Sequence, residues 1–295
     1  MNVKSLKDLI DICEKTGETL HKVIMDWEML DTGYSNEYIT EKTSKLLSVM
    51  EEEYTSKKGK EFKTLVGLTG SNGKRMLEYL PKAFVGERVF KAATIAVTMS
   101  ESNASMGRIV ACPTAGSSGV MPGVLLTLEE SGIERDKLVL SLIVAGGIGK
   151  IISMRASLSG AEAGCQAEIG SATAMAAGAA VYAMGGSPQT VSNAAALSLK
   201  SLMGLVCDPV GGFVEVPCVK RNAAGATLAL VFADIAMAGV ESVIPFDEVV
   251  DAMMAVGKSM PESLRETGKG GIAISPTARR IMKNLKEKLS IPEDN

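Results

Sequence analysis

The chain has 295 residues, 46% of them hydrophobic, and a formal net charge of −3 from 31 Lys and Arg against 34 Asp and Glu. Such a composition suits a globular protein with one large core or two modest ones. It has neither the basic excess nor the Lys/Arg stripe interleaved with aromatics that binding a phosphate backbone requires, so nucleic acid is not expected as a partner.

In chain order, the opening "MNVKSLKDLIDICEKTG" alternates charged and apolar residues at helical spacing. It resembles neither a signal-peptide apolar core nor a transit sequence, so a cytoplasmic location is expected. Three- and four-residue spacing continues to about residue 56, as in "SKLLSVMEEEYTSKKG", and predicts two or three amphipathic helices that end at Gly59 and Lys60. Residues 1–60 are thus expected as an outer layer on a body of residues 61–295, with the two forming one continuous domain.

From about residue 67 to 239 charge thins out and Gly, Ala, Ser and Met dominate, which predicts closely packed helices joined by glycine-rich loops. Helices are expected over 81–105, 122–131, 135–153, 162–184, 188–206, 220–238, 246–260 and 276–289. "SPQT" and "SPTA" put Ser187 and Ser275 at N-caps with proline in the first helical position. Only "KLVLSLIVAG" and "GFVEVPCV" invite a strand reading, and the second contains a proline. The fold class is mainly α. The apolar runs 172–186 and 223–239 are Ala/Gly-rich, and Asp234 breaks the second, so both read as core helices. A membrane span wants about 20 strongly apolar residues.

"GLTGSNGKR" at 67–75 imitates a P-loop, but five residues separate Gly67 from Gly73 and Arg75 stands where Ser or Thr should bind magnesium. "CPTAGSSGVMPG" carries Thr114, Ser117 and Ser118 with Gly116 and Gly119 ahead of a helix near Pro122; it is either a polar turn or a carboxylate cradle. "ESLRETGKGGIAISPTA", with Gly268, Gly270 and Gly271, is either a connector or a mobile loop that closes over a site. His21, the sole histidine, lies in the amphipathic N-terminal region and reads as a surface residue rather than a base.

Five cysteines are an odd count, and in a reducing compartment thiols stay free or bind metal. Cys165, Cys207 and Cys218 are separated by 42 and 11 residues, which is neither a zinc-ribbon nor a ferredoxin spacing. Spacing alone leaves ordinary core packing open. Their context favours a metal: Pro209, Gly211 and Gly212 can bend "CDPVGGFVEVPC" around a bulky group, and small neighbours (Gly164, Ala167, Gly170, Ala172) let the Cys165 helix press against the same object.

Together, "GCQAEIGSATAMAA", "GLVCDPVGGFVEVPCVKRN" and "ACPTAGSSGVMPGVL" resemble the α chain of the iron–sulfur-dependent L-serine dehydratases, over roughly residues 67–274. The resemblance implies a helical catalytic domain and a lyase of amino-acid catabolism and gluconeogenesis that eliminates water from L-serine to give pyruvate and ammonia. It implies a [4Fe–4S] cluster on Cys165, Cys207 and Cys218, with one iron left open as a Lewis acid. Thr114, Ser117, Ser118 and Gly119 become the expected cradle for the serine carboxylate or ammonium, with Lys74 and Ser71 nearby. Asn222, with Lys220 and Arg221, is expected to steer substrate or to bond cluster sulfur. Cys13 and Cys112 match no cluster position, although Cys112 adjoins the loop and either packs or lines the site.

No motif contains a histidine, so the catalytic base is unassigned. Two-chain members of the family have a separate β subunit, and about 60 residues ahead of the resembling region are too few for that domain. A β subunit is therefore expected to complete a heterodimer and supply the base. The rival readings are a cysteine desulfidase-like lyase, a pyridoxal-phosphate dehydratase using Lys74 or Lys150, and a non-catalytic iron–sulfur sensor subunit.

Overall fold

The computed structural model describes residues 2–289, and all regular secondary structure among them is helical. The outer layer is α1 (Leu6–Thr16), α2 (Leu20–Thr32) and α3 (Asn36–Lys57). Ser5 and Ser35 cap α1 and α3 by accepting from the amides of Asp8 and Tyr38, the usual way of satisfying first-turn donors. Asp247 reaches across from α12 (Phe246–Ser259) to accept from the amides of Leu6 and Lys7 at 2.8 and 3.1 Å.

The centre is α9 (Ser171–Ala183), in which every residue except Tyr182 is buried. Around it pack α6 (Val120–Glu130), α7 (Arg135–Arg155), α10 (Pro188–Ser201) and α11 (Cys218–Met237), while α5 (Glu87–Ala104) lies against α6 and α11. Small side chains set these distances. A Cβ added at Gly225 of α11 would come within 2.8 Å of the Thr173 hydroxyl and 3.0 Å of Val120, so the helices approach more closely than alanine permits. Helix α7 has the length and apolarity to cross a membrane, but most of that stretch is buried in the bundle beside α9. Leu6, Leu20, Trp27, Leu47 and Met50 of the outer layer join the same apolar cluster as α9, so residues 1–60 share the core rather than merely cover it.

Several boundaries differ from the sequence expectation. The helix expected over 162–184 is broken into α8 (Gly160–Ala163), a π-helical turn (Gln166–Gly170) and α9, because Gly164 at φ 77° stops the first segment. The helix expected from 81 begins at Glu87, after Gly86 at φ 86°. That expected over 188–206 ends at Ser201, and that expected from 220 begins at Cys218. Neither tempting strand forms: the first run lies in α7, and the second is a turn leading into α11. The last helix, α13 (Pro276–Leu289), has Ser275 accepting from the Ala278 amide.

The glycine segment "GLTGSNGKR" contributes a helix that its composition does not suggest, α4 (Asn72–Tyr79). The cause is Glu101 of α5, whose fully buried carboxylate accepts from the Thr69 hydroxyl and from the amides of Gly70, Asn72 and Gly73 at 2.5–3.0 Å. Burial alone would raise its pKa, but these donors outweigh burial and hold the group below its ordinary 4.5. A depressed carboxyl stabilises the fold above its unfolded pKa, and that contribution disappears as pH falls through the folded value. Glu101→Gln should therefore cost on the order of 3 kcal/mol in denaturant unfolding at pH 7. The difference from the unsubstituted protein should shrink when the same measurement is made below about pH 4.

Candidate active site

Cys165, Cys207 and Cys218 meet at one cleft of about 180 Å³, which Gly116, Glu168 and Glu266 also line. Cys165 immediately precedes the π-helical turn, and Cys218 is the first residue of α11. Cys207 lies on the connection from α10 and is fixed by backbone pairing to a distant segment: its amide donates to Leu264 O at 2.9 Å, and its carbonyl accepts from the Glu266 amide at 2.7 Å. Asp208 continues the attachment by accepting from Arg221 and from the Ile272 amide, each at 2.8 Å. The glycine-rich 262–274 stretch is thus stapled along Cys207. Glu266 sits there in the left-handed region at φ 62°, a strained conformation for a non-glycine residue beside a candidate site.

The turn between Cys207 and Cys218 is organised by Glu215, which is buried and accepts from the Thr64 hydroxyl and the Val66 and Leu68 amides at 2.7–3.0 Å. Arg221 donates to Val206 O at 2.8 Å and also reaches the Cys165 sulfur, as expected for one of the residues after the last cysteine. Lys220 is exposed.

The Thr114–Gly119 loop forms the facing wall. Asn222, fully buried on α11, accepts from the Gly119 amide at 2.9 Å and donates to Gly116 O at 2.7 Å, while Asn103 of α5 donates to Ala115 O at 3.0 Å. Asn222 therefore positions the loop from behind. Ser117 is buried and bonds back to Thr114, and the buried Ser118 hydroxyl has no partner. Only the start of the loop reaches the cleft: the Thr114 hydroxyl lies against Glu168, and Ala115 and Gly116 line the cavity.

Other expected residues lie elsewhere. Lys74, on α4, pairs with Glu61 at 3.0 Å at the surface, and Ser71 immediately precedes that helix. Lys150 pairs with Glu28 and Asp31, both at 2.7 Å, and sits over the Trp27 ring. Neither lysine lines the thiol cleft. His21 is half-buried on α2 and bonds Thr19 and Tyr182, away from the cysteines. Cys13 is in the core of α1. Cys112 lines a separate cavity of about 410 Å³ between α2, α3 and α7 rather than the thiol cleft.

Burial pushes Cys165 up to about 11 and Cys218 up to about 12, and raises Cys207 too; for Cys207 and Cys218 the neighbouring cysteines add to the effect, and Glu168 opposes all three thiolates. Three buried thiols that oppose one another's ionisation suit a cationic group placed among them, which would reverse that balance. Among the described residues no three Cys, His, Asp or Glu side chains converge tightly enough for a single ion, so the donor set fits a bulkier inorganic core.

Sequence reasoning passed over Glu168 and Glu266. Glu168 follows Cys165 by three residues, a spacing that places both on one helical face and was available as a signal. Nothing local marks Glu266.

The family described as "Serine dehydratase alpha chain" matches residues 14–273. A Bacillus subtilis (strain 168) protein named "Probable L-serine dehydratase, alpha chain" is 44% identical over 286 residues, 96% of this chain and 95% of its own. The "L-serine dehydratase, alpha chain" of Peptoniphilus asaccharolyticus is 42% identical over 97% of this chain and 99% of its own. An "L-serine dehydratase" from Mycobacterium tuberculosis is 42% identical over 61% of this chain but only 41% of its own length. The match starts at residue 14, so α2 and α3 fall inside the family's extent, in keeping with their packing on α7 and α5.

Because Asn222 both accepts from and donates to the loop, Asn222→Ala should strand a buried amide and carbonyl and lower stability by roughly 2 kcal/mol. Hydrogen exchange should show the Gly119 amide losing protection ahead of the α9 amides.

Proposed function

Since the chain belongs to the serine dehydratase alpha chain family, we propose that it is the catalytic chain of an L-serine dehydratase, with a [4Fe–4S] cluster held by Cys165, Cys207 and Cys218. The observation that carries the cluster assignment is the meeting of these three thiols, from three separate segments, at one cavity that offers no fourth cysteine or histidine among the described residues. Such a cluster, with one iron free of protein thiolate, supplies a Lewis acid that stabilises the departing hydroxyl of serine.

The chain's own residues have separate tasks. Arg221 donates to the Cys165 sulfur and, through Asp208, keeps the Cys207 segment in place. The Thr114–Gly119 loop, held by Asn222 and Asn103, presents the Thr114 hydroxyl and the backbone of Ala115 and Gly116 to the substrate side. Elimination of water leaves aminoacrylate, which tautomerises and hydrolyses to pyruvate and ammonia.

A second subunit completes the site in this reading. Close relatives are named as alpha chains, and a longer relative devotes more than half its length to sequence outside the match. No histidine lines the cleft, which leaves room for a base from that subunit.

Anaerobically purified protein should be brown, and Cys165→Ser, Cys207→Ser or Cys218→Ser should remove the visible absorption while Cys13→Ser keeps it. Retention of the chromophore in all three would overturn the ligand assignment. Pyruvate formation from L-serine should rise at least tenfold when a beta subunit is added, by the usual scale of a lost general base. Full activity of the isolated chain would place the base within it.

A further inference from the structure

Glu168 is the side chain in the cleft that the proposed cluster does not use and that no ion pair engages among the described residues. Its carboxylate stands between the two walls. A Cβ on Gly116 would lie 3.3 Å from Oε1, and one on Gly160 would lie 2.8 Å from Oε2. Both neighbours are glycine, so the carboxylate faces open space where side chains would otherwise close in. Oε2 is 4.0 Å from the Cys207 sulfur, and the Thr114 hydroxyl lies against the group.

The backbone that carries Glu168 is equally specific. It lies in the π-helical turn just after Cys165, and π turns are concentrated at functional sites because the extra residue redirects a side chain. The other carboxylate of the cleft, Glu266, is exposed at the rim. An α-amino acid entering this cleft brings one ammonium group, and a half-buried carboxylate without a cation is its electrostatic complement. No Lys lines the cleft to take that place.

Building on the functional reading above, we propose that Glu168 is the anchor for the substrate's α-ammonium, and that it selects an amino acid over the corresponding hydroxy acid. The serine carboxylate then lies toward the Thr114–Gly119 loop, which fixes the Cα between the two walls.

The test uses the cluster-loaded complex with its beta subunit, held under anaerobic conditions, and the unreactive pair L-alanine and L-lactate, which differ only in ammonium against hydroxyl. Calorimetry should show wild-type protein preferring L-alanine. Glu168→Gln should lose roughly 10- to 100-fold of that preference, the scale of a charge-assisted hydrogen bond, and should raise KM for L-serine more than it lowers kcat. Glu168→Asp keeps the charge on a shorter arm and should retain most of the preference. An unchanged preference in Glu168→Gln, or equal loss in Glu168→Gln and Glu168→Asp, would overturn the anchor. Wild-type protein that prefers L-alanine but makes no pyruvate from L-serine would overturn the functional reading while supporting the anchor.

Discussion

The close contact between α9 and α11 is the constraint on which the cleft depends. Gly225 lies seven residues into α11, and it packs against Ile169 and Thr173, four and eight residues after Cys165. The two helices therefore touch at comparable distances from their starting cysteines, and this brings Cys165 and Cys218 to the same end of the bundle. A larger residue at the contact would separate the helices, and with them two of the three thiols. The Ala- and Gly-rich composition of residues 163–186 thus sets a distance, in addition to filling a core.

Charge does in the loops what hydrogen-bonded ladders do elsewhere. Glu101, Glu215 and Asp208 are all buried, and each accepts from backbone amides that glycine-rich sequence leaves without regular partners. Glu101 gathers the start of α4, Glu215 ties residues 64–68 to the turn before Cys218, and Asp208 joins the Cys207 segment to Ile272 and Arg221. Each carboxylate serves donors from a segment far from it in sequence. Loops that composition would suggest are loose are held by acceptors placed from outside them.

This arrangement explains what the sequence disclosed. The helical class, the paired contexts of Cys207 and Cys218, and the N-caps at Ser187 and Ser275 were legible because they rest on local composition and spacing. Helix α4 was not, because its nucleus is a carboxylate on another helix. The break at Gly164 was hidden within an otherwise helical run, since a single positive φ leaves no periodic trace. Asn222 was expected to meet substrate or sulfur and instead holds the loop, a distinction that only the direction of its amide reveals. Glu168 was legible in principle from its distance to Cys165. Glu266 reaches the cleft only through chain topology.

The backbone pairing of Cys207 with Leu264 and Glu266 imposes an order on the chain's own biogenesis. Those partners leave the ribosome 57 residues after Cys207. At 5–20 residues per second that is roughly 3–11 s. Throughout this interval all three cysteines have been synthesised, but the cleft lacks a wall and Cys207 lacks the bonds that fix it. A nascent chain thus displays its thiols before it can position them, so the maturation machinery meets a competent site only late in translation.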